Sequence, residues 1–282
     1  MDAATLGVLH DVTLLVWVAL LFGVAAYKAV RELRPAACWN WGGRVEARPY
    51  IAADAIVVTA IAFCLLVGLR AAITTDAAAA PAAEMQLTVT STLMGIVMQL
   101  GMCVLLLMYL SLVRGLNPAA LFGLRQMSPL RVLSIALLLW IPMLLVVNGS
   151  ALGIQLWLKD FWPDMNGQET VEAFRASKDP LAKALLVISA AIIAPLVEET
   201  IFRGFIYGVI KRYTDGFFAA LCSALLFAVA HMHVGTLLPL TLLALVFCAI
   251  YEITGSLLVT MTLHGLFNAT SLTVMIFFPD VK

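Results

Sequence analysis

Residues 185–204 read LLVISAAIIAPLVEETIFRG. Leu185 to Val197 carries no charge, and Glu198, Glu199 and Arg203 follow directly. A helix that is apolar on every side belongs in a protein interior or a bilayer. Two adjacent carboxylates and an arginine at the end of such a helix are costly to place, and ionisable groups at membrane depth generally serve function. The stretch sets two requirements for the rest of the chain. It needs a spanning helical scaffold, and its charges need partners and a route to water.

The composition meets the first requirement. Of 282 residues, 63% are apolar and 12% charged, with a mean hydropathy of +1.01. Soluble domains carry roughly 25% charged residues. The chain therefore reads as all-α, a polytopic transmembrane helical bundle. A formal net charge of zero argues against nucleic acid as a partner. Cys38, Cys64, Cys103, Cys222 and Cys248 are scattered without a paired spacing and read as small hydrophobes. No Lys or Arg precedes the first apolar run, whereas Lys28, Arg31 and Arg34 follow it. That polarity is opposite to a cleavable signal's, so the run is expected to be a spanning helix with its N-terminus outside.

Spans need about 20 apolar residues, and eight are expected. They are His10–Tyr27, Tyr50–Leu69, one within Met85–Val113, one within Val132–Leu158 and one from Leu181 into the glutamate pair. Two more lie within Gly216–Tyr251, divided at Gly235 and Pro239, and the last is Leu257–Phe278. Pro142 should kink the fourth and Asn148-Gly149 should weaken or end it. Asp54 and Glu252 are expected near interfaces. Thr74–Glu84 reads as an external linker. Lys159–Asp179, the longest polar segment, reads as a solvated loop with a short interfacial helix. The expected organisation is an accessory N-terminal region, 1–158, a polar extracytoplasmic loop, 159–180, and a catalytic region, 181–282. The first four helices carry almost no polar chemistry inside the membrane. Alternate loops differ in basic content. The more basic set, including Lys211 and Arg212, is expected on the cytoplasmic side, which places the glutamate pair toward the cytoplasm.

Three of the four histidines, His231, His233 and His264, lie in apolar runs of the last quarter. Glu199 and Arg203 are four apart and share a helix face. Glu198 sits about 100° away and can face a cavity, where a carboxylate makes a good general base. His264 and Asn268, also four apart, can donate to one oxyanion. Phe227 and His231 repeat the spacing, with the ring as an apolar wall. His233, about 200° from His231 on a regular helix, reads as a satisfied or interface-facing histidine.

Two chemistries fit these residues. In one, Glu198 activates water, His231 assists, and His264 with Asn268 holds the oxyanion. In the other, His231, His264 and a glutamate bind zinc, a known catalytic set, although no HExxH motif is present. Both hydrolyse an amide. A proton-coupled transporter or a non-catalytic scaffold are the alternatives outside protease chemistry.

The ordered motifs Glu198-Glu199-x-x-x-Arg203, Phe227-x-x-x-His231 and His264-x-x-x-Asn268 resemble those of the CAAX-protease and bacteriocin-processing family of intramembrane endopeptidases. The resemblance covers about Leu181 to Ile276. It implies a helical bundle with a cavity open to the cytoplasmic side and Glu198 as water-activating base. His231, His264 and Asn268 would complete the catalytic set, supported by Glu199, Arg203 and Phe227. The absence of HExxH and the donor pair His264 and Asn268 favour a glutamate mechanism with no cofactor, and zinc is the alternative. The substrate expected is a membrane-associated peptide or protein in the bacterial plasma membrane.

Overall fold

The computed structural model describes residues 32, 43–78, 87–158, 169–233 and 236–277. The expected first span, Cys38, most of the basic loop before residue 43, and 159–168 lie outside the described residues.

Nine helices follow one another among the described residues. They are α1, Ala52–Ala78; α2, Val89–Met108; α3, Pro118–Leu121; α4, Pro129–Leu158; α5, Glu169–Ala176; α6, Pro180–Tyr213; α7, Gly216–Ala230; α8, Leu237–Thr254; and α9, Leu257–Phe277. Among the described residues, α1, α2, α4, α6, α8 and α9 are long and apolar enough to cross a membrane, and α7 is shorter at 15 residues. The chain is an integral membrane protein with an all-helical fold. Helix starts follow local chemistry. Thr88 and Ser91 form a capping box ahead of α2, and the Asp179 carboxylate caps α6 with Pro180 in its first turn. Asp215 caps α7. Each satisfies amide donors that a helix leaves unpaired.

Two expectations are corrected. The fourth span does not end at Asn148-Gly149, because α4 runs unbroken to Leu158. In hydrocarbon an unwound turn leaves its amides without partners, so the helix persists through weak formers. Asp54, in the first turn of α1, does not reach solvent there. It is fully buried, accepting from Ile51 N at 2.7 Å, Tyr109 Oη at 2.8 Å and Arg114 Nε at 2.9 Å. The N-terminal helices thus do carry polar chemistry. Pro239 is the third residue of α8, where its missing N–H would have had no partner within the helix.

The bundle is organised around α6, a single span interrupted by two widened turns, Ser189–Ile193 and Thr200–Tyr207. α7, α8 and α9 pack around it, with α4 against α8 and α9, α1 against α7, and α2 against the first half of α6. One core gathers Tyr50, Phe122, Phe205, Tyr207, Phe227 and Tyr251. The other lies between α4, α8 and α9 around Met143, Leu243, Phe247 and Leu263.

Membrane helices gain little hydrophobic drive from one another and associate through close packing. Gly204 and Gly208 supply it on α6. A Cβ at Gly208 would stand 2.5 Å from the Tyr50 ring, and one at Gly204 would stand 3.0 Å from Phe122. Tyr50 also donates its hydroxyl to the Gly204 carbonyl at 2.6 Å. Burial, reinforced by Tyr251 and Asp54, pushes the Tyr50 phenol well above its ordinary value, so it stays a neutral donor. Ser223 donates to the Phe202 carbonyl at 2.9 Å. Side-chain hydroxyls thereby take up carbonyls of the second widened turn.

Candidate active site

Glu198 and Glu199 end the regular segment between the two widened turns of α6. Widened turns recur at functional sites, and here they have a local cause. Pro195 has no N–H. The first widened turn bonds Ala194 N to the Ser189 carbonyl, five residues back. The next such bond would run from residue 195 to Ala190, and the proline cannot make it. Asn268 Nδ2 on α9 donates to the Ala190 carbonyl instead, at 2.8 Å. The helices meet closely enough for this because residue 265 is glycine. A Cβ there would stand 2.7 Å from the Ala191 carbonyl oxygen.

The two glutamates differ sharply. Glu199 is fully buried. Its Oε1 lies 2.9 Å from Arg203 Nη1 and 3.0 Å from His264 Nδ1. Glu198 is 26% exposed, and its Oε2 is 3.8 Å from His264 Nε2. His264, only 3% exposed, therefore stands between the pair, one ring nitrogen toward each carboxylate. The Arg203 guanidinium lies over the Phe227 ring at 4.3 Å and near Phe247 at 5.0 Å. Glu199 Oε2 and Arg203 Nε and Nη2 have no hydrogen-bond partner among the described residues. Ring faces replace part of the lost hydration.

Phe227 ties the remaining parts together. Its ring is 5.9 Å from His264, 4.8 Å from His231 and 5.3 Å from Phe202. His231 caps the end of α7, with Nδ1 2.9 Å from the Phe227 carbonyl. The chain then turns through Met232 in the left-handed region, φ 51°, a strained conformation for a long side chain. This turn abuts α1, where a Cβ on Gly68 would stand 2.9 Å from Met232 Cε.

The structure thus gathers Glu198, Glu199, Arg203, Phe227 and His264 into one cluster and sets His231 and Asn268 at its edges. Asn268 spends one donor on Ala190, and its second amide N–H is not used in that bond. Sequence spacing did not reveal Phe247, whose ring lies 5.0 Å from His264. It also missed the partners of Glu252. In the last turn of α8, that carboxylate is buried rather than solvated and accepts from Tyr207 Oη and Lys211 Nζ. The partner lies some forty residues away in sequence, so no helical spacing announces it. Among the described residues, no three of His, Cys, Asp and Glu are grouped to hold a metal ion. His264 Nδ1 is turned to Glu199, which leaves Nε2, on the Glu198 side, as the ring nitrogen free to meet water or a metal.

Residues 180–270 match a family described as type II CAAX prenyl endopeptidase Rce1-like. A relative from Bacillus subtilis (strain 168), named "Putative membrane peptidase YdiL", is 33% identical over 87 residues. The aligned stretch spans 31% of this chain and 36% of that relative. No solved structure matches. The matched stretch, 180–270, holds all three motifs, and over it the chain is similar to Rce1-like CAAX endopeptidases.

Proposed function

We propose that the protein is an intramembrane endopeptidase of the glutamate type, hydrolysing a peptide bond of a membrane-associated peptide or protein. One observation carries the reading. His264 lies between two glutamates, of which Glu199 is paired with the Arg203 cation and Glu198 is part-exposed with no partner closer than 3.8 Å among its ion-pair contacts. A carboxylate held in a bundle and left free for water is placed as a base.

In this mechanism Glu198 takes a proton from water, and the hydroxide oxygen bonds to the scissile carbonyl carbon. The carbonyl electron pair moves to its oxygen, which receives hydrogen bonds from His264 and the free amide N–H of Asn268. Collapse of the tetrahedral species breaks the C–N bond. Protonated Glu198 returns its proton to the leaving nitrogen, giving one carboxylic acid and one amine, and the acid then passes its proton to the amine to leave carboxylate and ammonium. His231 orients the water. Glu199, held by Arg203, fixes the His264 ring. The basic ends of the spans support a site on the cytoplasmic side of a bacterial plasma membrane.

The test is hydrolysis in ¹⁸O-labelled water by the full chain in liposomes, with membrane-anchored peptides as substrates and mass spectrometry of the products. One ¹⁸O in the new carboxylate, lost with Glu198→Ala, is the expected result. Unchanged cleavage by Glu198→Ala would overturn the assignment.

A further inference from the structure

A second polar site lies away from the motif residues, where α6 ends in Lys211 and Arg212. The segment before α1 folds back onto this end. Arg44 N donates to the Glu252 carbonyl at 2.8 Å, and Lys211 Nζ donates to the Val45 carbonyl at 3.0 Å. Between them is a cavity of about 320 Å³ lined by residues 43 and 45–48 with Lys211 and Arg212. Three cations, Arg48, Lys211 and Arg212, face one carboxylate, Glu46, in its lining. The Lys211 charge is matched by buried Glu252. Arg48 and Arg212 have no ion-pair or hydrogen-bond partner among the described residues and are exposed.

We infer that this cavity binds a phosphate-bearing anion, the headgroup of an anionic phospholipid. Its position selects that source. α1 begins at Ala52 and the α6 span ends at Tyr213, so Arg48 stands just before one span and Arg212 in the last turn of another, both at headgroup level. Basic pockets between spans recognise anionic headgroups, each cation near the surface contributing to the attraction. The guanidiniums offer paired donors to phosphate oxygens. The Lys211–Glu252–Tyr207 cluster beneath fixes the floor and is neutral as a unit, so discrimination falls to the two arginines. The helix that carries Glu198 is thereby tied to the lipid surface at its far end.

The experiment is native mass spectrometry of the full chain in detergent, titrated with phosphatidylglycerol and with phosphatidylcholine. Inorganic phosphate at millimolar concentration serves as competitor. The expected result is tighter retention of phosphatidylglycerol by about thirtyfold, as two surface cations contribute. Arg48→Gln with Arg212→Gln should remove the preference, and Arg48→Lys with Arg212→Lys should retain most of it, which also controls for folding. Equal retention of the two lipids by the unaltered chain, or an undiminished preference in the glutamine variant, would overturn the proposal. Displacement of phosphatidylglycerol by inorganic phosphate, with equal binding of the free ion, would keep the phosphate site and assign it a soluble ligand.

Discussion

Asp54 and Glu198 are both carboxylates set among apolar helices, and the protein treats them in opposite ways. Asp54 accepts three hydrogen bonds, from Ile51, Tyr109 and Arg114, and is sealed from solvent. Glu198 keeps a quarter of its side chain exposed and stands 3.8 Å from its imidazole neighbour. A buried charge with a full complement of partners behaves as a fastening, because removing a partner strands the other. A charge left undersatisfied at an accessible edge is available to react. Glu199 and Arg203 lie between these extremes, paired with each other yet with polar atoms still unbonded. Burying such a pair costs stability, which is better explained by what the pair holds, the His264 ring, than by bracing alone.

The comparison can be broken in order of expected effect. Glu198→Gln should lower the cleavage rate by about 10²–10⁴, the range for a positioned general base, with the thermal midpoint unchanged. A rate assay beside a thermal unfolding scan measures both. His264→Ala should lower the rate by about 10²–10³, as loss of one oxyanion donor does; a loss under tenfold would remove His264 from the oxyanion role. Asp54→Ala should leave the rate per folded molecule nearly intact but cost about 3 kcal/mol of stability through the stranded Arg114, read by chemical unfolding in detergent. Tyr50→Phe should cost about 1 kcal/mol, the net value of one hydrogen bond, by the same method. Dialysis against a chelator should leave cleavage unchanged, and loss of activity together with one zinc per chain would reinstate the metal reading.

Much of this was legible in the chain. Apolar runs long enough to span gave the helical bundle; α6 and α9 begin within about one residue of an expected boundary, and α8 begins between the expected breaks at Gly235 and Pro239. The i, i+4 spacing of Glu199 and Arg203 became an ion pair, and that of Phe227 and His231 became a ring contact. Spacing could not show pairings between distant segments. Asp54 with Arg114 and Glu252 with Lys211 are separated by 60 and 41 residues. A lone acid in an apolar run reads as interfacial until its partner is known. His264 and Asn268 share a face, as their spacing requires, but the sequence assigned both wholly to one oxygen. The structure gives one Asn268 donor to Ala190, because Pro195 leaves that carbonyl unpaired. That consequence was implicit in the proline, but it required knowing which helix lay opposite.

The N-terminal helices show the same limit. No motif marks them, yet Tyr50, Gly68 and Phe122 touch α6 and the turn that holds His231. Their role is written in contacts between residues far apart in the chain, which no local pattern encodes.

The most direct measurement places Glu198→Gln and Asp54→Asn side by side in liposomes, reading cleavage and thermal midpoint for each. The account predicts a crossed result: the glutamate variant folds as the unaltered chain does and does not cleave, whereas the aspartate variant is destabilised and still cleaves when folded. Cleavage by the Glu198→Gln variant at the unaltered rate would contradict it.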